Sequence, residues 1–243
     1  LMGVELRAIG VDFSFAPVLD LAHGYSGVIG DRAFHRSPQA VADLARYVMS
    51  GMRRAGMQAV GKHFPGHGGV KEDSHIALPV DRRPLADILS EDVLSFERMI
   101  HYGLAGIMPA HVIYSEVDSR PAGYSQVWLG NILRERLGFQ GAVFSDDLSM
   151  QAAHVVGGFP ERAEAALKAG CDMAVICNDS QGVEQVLQSL AGYENAVSQI
   201  RLARFHGRRA ISYTQLHDSD TWKRTVSEIL PLTEESPSLE LNL

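Results

Sequence analysis

The strongest constraint on the fold is a repeated alternation between short apolar runs and longer segments in which apolar residues recur at helical spacing. The apolar runs occupy residues 11–20, 58–64, 105–111, 141–146 and 172–178. Such alternation predicts right-handed βαβ units and therefore a parallel sheet. The runs are apolar on both faces, which is typical of strands that are covered on both sides.

Capping residues predict where the intervening helices begin. Ser37 and Pro38 form an N-cap and first-turn pair ahead of one helix. Further helices are expected from Ser90 onward and over residues 125–137, 160–170 and 183–190.

Polar residues collect at the carboxyl ends of the predicted strands, where parallel α/β folds place their chemistry in barrels and open sheets alike. These residues are Asp20, Lys62, His63, His111, Asp146, Asp147 and Asn178. The glycine-rich loop at 65–69 lacks the GxGxxG spacing of a dinucleotide site, and the sequence contains no Walker A motif. The pattern therefore favours a site at this edge of the sheet and disfavours nucleotide binding.

Composition narrows the class of protein further. With 22 basic and 29 acidic residues the formal charge is −7, which argues against a nucleic-acid partner. No apolar run approaches the roughly 18 residues of a membrane-spanning helix, so membrane insertion is not expected. Cys171 and Cys177 cannot form a disulfide framework, and we expect both to be buried and reduced in a cytoplasmic protein.

One group of side chains surrounds the glycine-rich loop. Lys62 and His63 precede the loop, and Asp73 and His75 follow it on the same connection. This arrangement suits polar-ligand binding together with proton transfer by a histidine that a carboxylate orients. The alternative is that the histidines only cap loop backbone while Asp73 and His75 are solvated.

Two further features could carry chemistry. Asp146 and Asp147 end the fourth run, where a carboxylate can be a nucleophile, a general base, a metal ligand or a helix cap. Adjacent strand residues point to opposite sides, so the two aspartates are not expected to face the site equally. Arg32, after the first run, either clamps a substrate oxygen or pairs with Asp31.

Metal binding is the weaker interpretation of the histidine-rich segments. His63 and His67 lie in a Pro-Gly loop rather than on a helix, so HExxH geometry is absent. We expect neither a metal nor an organic cofactor.

Several segments together resemble glycoside hydrolase family 3, and specifically its bacterial β-N-acetylglucosaminidases. The matching segments are 13–20, 61–68, 73–75, 108–111 and 144–150. The resemblance implies a TIM-type (β/α) barrel domain over residues 1–225, followed by a C-terminal tail at 226–243. Family members carry further βα units, with an Asp-Gln-Glu-Gly-Gly-Arg segment, ahead of the position of Phe13. We therefore expect a partial barrel that lacks its N-terminal βα units, and residues 1–10 resemble the end of a helix already under way.

The resemblance also implies a reaction and its residues. Asp146 would be the nucleophile of a retaining hydrolysis, and His75 the acid/base that Asp73 orients. The residues that match sugar-binding positions are Arg32, Lys62 and His63. The implied substrate is a small saccharide, a peptidoglycan-derived muropeptide that loses terminal N-acetylglucosamine during cell-wall recycling, and the implied state is a cofactor-free cytoplasmic monomer. The alternatives are a family 3 glycosidase or phosphorylase of other sugar specificity, an inactive carbohydrate-binding fragment, and a metal-dependent hydrolase.

Overall fold

A computed structural model describes residues 1–24, 26–72, 74, 77–208 and 211–234 of the chain. The strands are β1 (Phe13–Ser14), β2 (Gln58–Phe64), β3 (Val80–Asp81), β4 (Gly106–Pro109), β5 (Ile113–Tyr114), β6 (Ala142–Asp147) and β7 (Met173–Val175). The α-helices are α1 (Met2–Ala8), α2 (Pro38–Arg54), α3 (Leu85–Ser90), α4 (Asp92–His101), α5 (Phe159–Ala169), α6 (Ser180–Ser189), α7 (Ala196–Leu202), α8 (Tyr213–Asp218) and α9 (Asp220–Glu234). Short 3-10 helices cover Gly30–Arg32, Ala122–Tyr124, Gln151–Val156 and Ala203–Phe205, and a π-helix covers Val127–Arg136.

The main sheet is parallel, as the alternating pattern predicts. It has five strands in the order β1-β2-β4-β6-β7, and each neighbouring pair is parallel. Strands β3 and β5 form a separate parallel pair beside it. Because all strands of the main sheet run in one direction, the carboxyl ends of β2, β4 and β6 meet at the same edge.

Two apolar clusters cover the two faces of this sheet. The larger cluster packs the helices against one face and includes Val41, Phe96 and Trp128. The smaller cluster gathers Phe144 and Phe205 with residues from β2 and β4 on the other face. Sheet faces that are both apolar explain why the strands lack a simple polar alternation.

Helix α1 is tied to the C-terminal helices. The indole Nε1 of Trp222, on α9, donates a hydrogen bond of 2.8 Å to Oε1 of Glu5 on α1. Helix α9 spans Asp220–Glu234, so it extends across residue 225, the expected boundary between the barrel domain and the C-terminal tail.

Local features differ from the sequence predictions at three places. Ser90 ends helix α3 rather than opening a helix, because the chain breaks at Glu91, with φ −114° and ψ −85°, before α4 begins. The helix expected at 125–137 is a π-helix, which apolar spacing alone does not distinguish from an α-helix. Cys171 is buried, but Cys177 is exposed because β7 ends at Val175 and leaves the thiol in the following loop.

None of the described helices combines the length and the apolar character that crossing a membrane requires.

Candidate active site

The two aspartates at the carboxyl end of β6, Asp146 and Asp147, make different contacts. The carboxylate of Asp146 accepts a hydrogen bond of 2.8 Å from the Asp147 amide, and the Asp146 side chain is half-buried. Asp147 turns instead toward the next loop, where its Oδ1 accepts from the amides of Ser149 (2.9 Å) and Cys177 (3.0 Å). Asp147 therefore holds the backbone that follows the strand, while Asp146 keeps one carboxylate oxygen clear of the hydrogen bonds found in the described residues.

Asp20, the last residue of the first apolar run, organises the end of β2. It is fully buried and accepts from the backbone amide of His67 at 2.7 Å, and from the amide and ring Nδ1 of His63 at 3.2 and 2.7 Å. Burial favours a higher pKa for Asp20, but the charge of His63 and these hydrogen bonds hold the pKa below its ordinary value. The carboxylate thus stays ionised and fixes the His63 ring with Nε2 as its remaining nitrogen.

Lys62 lies among charged neighbours of both signs. Its peptide bond to His63 is cis. Burial lowers the pKa of the Lys62 ammonium, while the carboxylates of Asp146 and Asp20 raise it and the guanidinium of Arg32 lowers it. Lys62 therefore lies within electrostatic range of Asp146, Asp20 and Arg32.

Arg32 stands on the short 3-10 helix Gly30–Arg32 and is exposed. Its guanidinium donates through Nε and Nη2 to the carbonyl of Val28 at 2.9 and 2.6 Å. Among the ion pairs of the described residues there is none between Arg32 and Asp31. Arg32 is therefore anchored to the backbone of Val28 through Nε and Nη2, and within the described part of the chain its Nη1 has no hydrogen-bond partner.

His111, at the end of β4, lies against the strand of the aspartates. It is fully buried, and its Nε2 lies 3.2 Å from the Asp147 carbonyl, so Nε2 carries the proton that it donates. Burial lowers the pKa of His111, although the charge of Asp146 acts in the opposite direction. Its Nδ1 has no hydrogen-bond partner in the described part of the chain. The ring is therefore neutral, and it braces the backbone next to Asp146.

The loop after β2 continues this network. His67 is buried, and its Nε2 lies 2.9 Å from Oγ of Ser74, which is also buried. The carbonyl of Ser74 accepts from the amide of Ala152 at 3.2 Å. Asp73 and His75, the residues expected to form the acid/base pair, lie outside the described residues.

Most of these positions are predictable from the sequence, whereas the hydrogen bonds that connect them are not. Asp146, Lys62 and His63 were expected at one edge of the sheet, and they do lie at the carboxyl ends of β6 and β2. Asp20 as the shared acceptor and Ser74 as a partner of His67 were missed. The strand-end position of Asp20 was the available signal, whereas nothing in the sequence pairs residue 67 with residue 74.

One acidic and histidine group in the described residues has spacing compatible with a cation. Ligand atoms of His23, Glu91 and Asp92 lie within 4.8 Å of one another. Asp92 is already paired with Nη1 of Arg83 at 2.7 Å and with Nε2 of His23 at 3.2 Å. A guanidinium therefore neutralises the carboxylate that a cation would need.

The chain resembles a known family over most of its length. Residues 1–205 match the glycosyl hydrolase family 3 N-terminal domain. A β-hexosaminidase of Thioalkalivibrio sulfidiphilus is 60% identical over 243 residues, which are 100% of this chain and 70% of that protein. A β-hexosaminidase of Thiobacillus denitrificans is 55% identical over 240 residues, covering 98% of this chain and 67% of that protein.

Solved structures of family 3 enzymes are also similar to this chain. The structure of NagZ from Neisseria gonorrhoeae in complex with N-trifluoroacetyl-D-glucosamine matches with a TM-score of 0.87 and 39% identity, over 95% of this chain and 67% of that one. A glycoside hydrolase family 3 β-N-acetylglucosaminidase from a Paenibacillus species matches with a TM-score of 0.81 and 29% identity, over 94% of this chain and 47% of that one.

The parallel sheet with polar groups at its carboxyl edge defines an α/β enzyme of the barrel type, and the relatives make it a glycoside hydrolase. The chain belongs to glycosyl hydrolase family 3. The expectation of a partial barrel is confirmed, because the described residues form a main sheet of five parallel strands and residues 1–205 match the family's N-terminal domain. The chain spans 70% and 67% of the two relatives.

Proposed function

We propose that this chain carries a retaining β-N-acetylglucosaminidase that removes terminal N-acetylglucosamine from peptidoglycan-derived muropeptides in cell-wall recycling. The observation that carries the proposal is the position of Asp146 at the carboxyl end of β6, where its negative charge raises the pKa of the Lys62 ammonium. Relatives described as β-hexosaminidases and a relative bound to an N-acylated glucosamine support the choice of sugar.

In the first step, a carboxylate oxygen of Asp146 attacks the anomeric carbon and forms a glycosyl ester. The bond between that carbon and the leaving oxygen breaks, and protonated His75 gives its proton to the leaving oxygen. In the second step, neutral His75 takes a proton from water, whose oxygen attacks the anomeric carbon and releases Asp146 as a carboxylate. Asp73 orients His75. A histidine in this role adds no second negative charge beside Asp146, which a carboxylic acid would do on giving up its proton.

The sugar would be held by donors around Asp146. The Lys62 ammonium and Nη1 of Arg32 donate hydrogen bonds to hydroxyl oxygens. The remaining ring nitrogen of His63 faces the same ligand, since its Nδ1 is held by Asp20. These roles follow the matched family positions, and the electrostatic effects of Asp146 and Arg32 on Lys62 support them.

The test is covalent trapping in the protein expressed from its complete gene. A 5-fluoro analogue of an activated N-acetyl-β-glucosaminide slows the second step, so one glycosyl unit should accumulate on the peptide that contains Asp146. Asp146→Ala should abolish both labelling and hydrolysis of an aryl N-acetyl-β-glucosaminide. Asp147→Asn is the matched control, which should retain the label because Asp147 faces the loop. A label on another residue, or undiminished turnover by Asp146→Ala, would contradict the proposal.

Substrate preference separates the alternatives. An N-acetylglucosaminide should be hydrolysed far faster than the matching glucoside, and added phosphate should not produce a sugar phosphate. Faster turnover of the glucoside would indicate a different sugar specificity, and a sugar phosphate product would indicate a phosphorylase. Saccharide binding in calorimetry without turnover would indicate a binding fragment, and loss of activity on chelation a metal-dependent hydrolase.

We further propose that the protein is a cytoplasmic monomer and that residues 1–225 form part of its catalytic domain. The two free cysteines, Cys171 and Cys177, support a reducing compartment. Sedimentation velocity checks the oligomeric state.

A further inference from the structure

The peptide bond between Asp147 and Leu148 is held from both neighbours of β6 in the main sheet, β4 and β7. On the β7 side, the Leu148 amide donates to the carbonyl of Val175 at 2.8 Å. On the other side β4 has already ended at Pro109, and Nε2 of His111 donates to the Asp147 carbonyl at 3.2 Å. An imidazole thus takes the place that a backbone amide would have in a longer strand.

The backbone of Asp147 in turn holds the side chain of Asp146. Its amide donates to Oδ1 of Asp146 at 2.8 Å, while Oδ2 has no hydrogen-bond partner in the described part of the chain. Fixing the plane of the peptide bond that follows Asp147 leaves its amide little freedom, because only φ and ψ of that one residue separate the two peptide planes. The direction of the Asp146 carboxylate therefore depends on how firmly the Asp147 backbone is held.

The His111 ring can provide this support because it is itself confined. The residue is fully buried, and its ring packs against that of Tyr124 with centroids 5.5 Å apart. The backbone of Gly123 also lies close to the ring, since a Cβ at Gly123 would be 3.7 Å from Nδ1. Nδ1 has no hydrogen-bond partner among the described residues. Packing and the bond at Nε2 therefore orient the ring.

We propose that His111 is a positioning residue for the nucleophile, because its Nε2–H group fixes the backbone that orients the Asp146 carboxylate. The inference rests on the proposed function, since it takes Asp146 as the group that attacks the anomeric carbon. Loss of the donor at Nε2 should slow formation of the glycosyl ester, while Lys62 and His63, on β2, remain in place to bind the sugar.

Two amide side chains form a matched pair that differs only in reach. Glutamine can place its NH2 group near the position of Nε2, whereas asparagine is one carbon shorter and reaches only the position of Nδ1. With the 5-fluoro analogue, His111→Gln should form the glycosyl ester within about threefold of the parent rate, and His111→Asn should be slower by about 10- to 100-fold, as expected for a misplaced reacting group. Mass spectrometry of the intact protein measures these rates, and equal rates for the two variants would overturn the proposal.

The final extent of labelling distinguishes a misplaced carboxylate from an unfolded protein. In His111→Asn, labelling should be slow but should still approach one glycosyl unit per molecule. Labelling at the parent rate to a reduced extent would mean that part of the sample is unfolded and the rest unaffected, which would overturn the proposal.

Ser198→Ala is the control for the loss of a buried hydrogen bond elsewhere. The Ser198 hydroxyl donates to Oδ1 of Asp172 at 2.7 Å, next to the amino end of β7 and away from the candidate site. This variant should label at the parent rate. Slowing as large as that of His111→Asn would show that labelling responds to any such loss, and would overturn the specific role of His111.

Binding of N-acetylglucosamine gives a readout that damage to the sugar site would change. Its competitive inhibition constant should stay within about threefold of the parent value in His111→Asn, because the lost interaction serves attack and not binding. A loss of affinity as large as the loss of labelling rate would overturn the proposal, since it would show that the whole site is disturbed.

The tautomer of His111 tests the inference in the parent protein without turnover. Nitrogen-15 NMR distinguishes protonated from unprotonated ring nitrogens, and the His111 signals are those missing from the spectrum of His111→Gln. We expect a neutral ring with its proton on Nε2. A proton on Nδ1 alone would overturn the inference, because Nε2 could not then donate to the Asp147 carbonyl. A glycosyl label on a residue other than Asp146 would contradict the proposed function, whereas the tautomer would still decide whether His111 holds Asp147.

Discussion

Asp20 gathers the hydrogen bonds of two neighbouring histidines on one buried carboxylate. Asp20→Asn keeps the shape of the side chain but turns an NH2 group toward N–H donors. We expect the free energy of unfolding to fall by about 2–3 kcal/mol, the cost of leaving buried donors unpaired against a charged partner. Turnover should fall as well, since the His63 ring loses its orientation.

Denaturant unfolding at neutral pH checks this expectation. The control is Asp43→Asn, which only weakens a surface hydrogen bond of 2.7 Å from Gln39 and should cost less than about 0.5 kcal/mol. Because the pKa of Asp20 is lowered, its stabilising effect is complete above the unfolded value of about 3.9 and is lost as pH falls below that value through the lower folded pKa. Equal stability of the parent and Asp20→Asn at pH 7 would contradict this account.

Some site residues can be predicted from the sequence and others cannot. Strand-end position is a local property, so Lys62, His63 and Asp146 could be placed at one edge from the pattern of apolar runs alone. The partnership between His67 and Ser74 could not, since the path of an irregular loop depends on contacts with several distant segments. Burial of Cys177 was wrongly expected for a similar reason, because the apolar run continues beyond the end of β7.

The loop at 65–70, next to the candidate site, packs closely against the backbone at Leu21. Gly68→Ala would place a Cβ 2.1 Å from the backbone oxygen of Leu21, and a backbone atom cannot rotate away as a side chain can. We expect the free energy of unfolding to fall by about 1–3 kcal/mol, and turnover to fall because His67 shifts with its neighbour. Unfolding and activity measured on the same preparation check both effects.

Gly51→Ala is the control for this prediction. Gly51 lies on α2 with nothing within 4 Å of its would-be Cβ, so alanine there should raise the free energy of unfolding by about 0.5–1 kcal/mol. If Gly68→Ala were as stable and active as Gly51→Ala, the loop would not be confined as described.

Regular elements were predicted better than their boundaries. Strand β2 covers the predicted residues 58–64, because its apolar run is bounded by Gly56 and Pro65. The break at Glu91 and the π-helix Val127–Arg136 were missed because both depend on how the segments pack, not on the spacing of their apolar residues.

At the scale of the whole molecule, three histidines make stability depend on pH. Burial lowers the pKa of His67 and of His111, whereas the hydrogen bond to Asp92 raises that of His23. As pH falls through about 6.5, the unfolded chain binds protons at the first two positions and the folded protein does not. That uptake favours unfolding, and the earlier protonation of folded His23 opposes it.

The His23 effect lies above about pH 6.5, because at lower pH both states carry that proton. Below about pH 6.5 the other two histidines leave a net uptake of up to two protons by the unfolded chain, so the free energy of unfolding should decline by up to about 2.7 kcal/mol per pH unit. His111→Gln removes one of the two destabilising groups and should flatten this decline. Denaturant titrations at several pH values measure the slopes, and identical slopes for the parent and His111→Gln would show that His111 is not buried neutral.

The hydrogen bond between Trp222 and Glu5 has an optical consequence. The sequence contains two tryptophans, and the other, Trp128, is fully buried in the larger apolar cluster. In a Trp128→Phe variant, the emission wavelength of Trp222 would report only on the junction between the first helix and the last. A red shift at a denaturant concentration that leaves the far-ultraviolet circular dichroism unchanged would mark separation of the two ends before the sheet unfolds. The protein thus carries a fluorophore that reports whether its two ends remain joined.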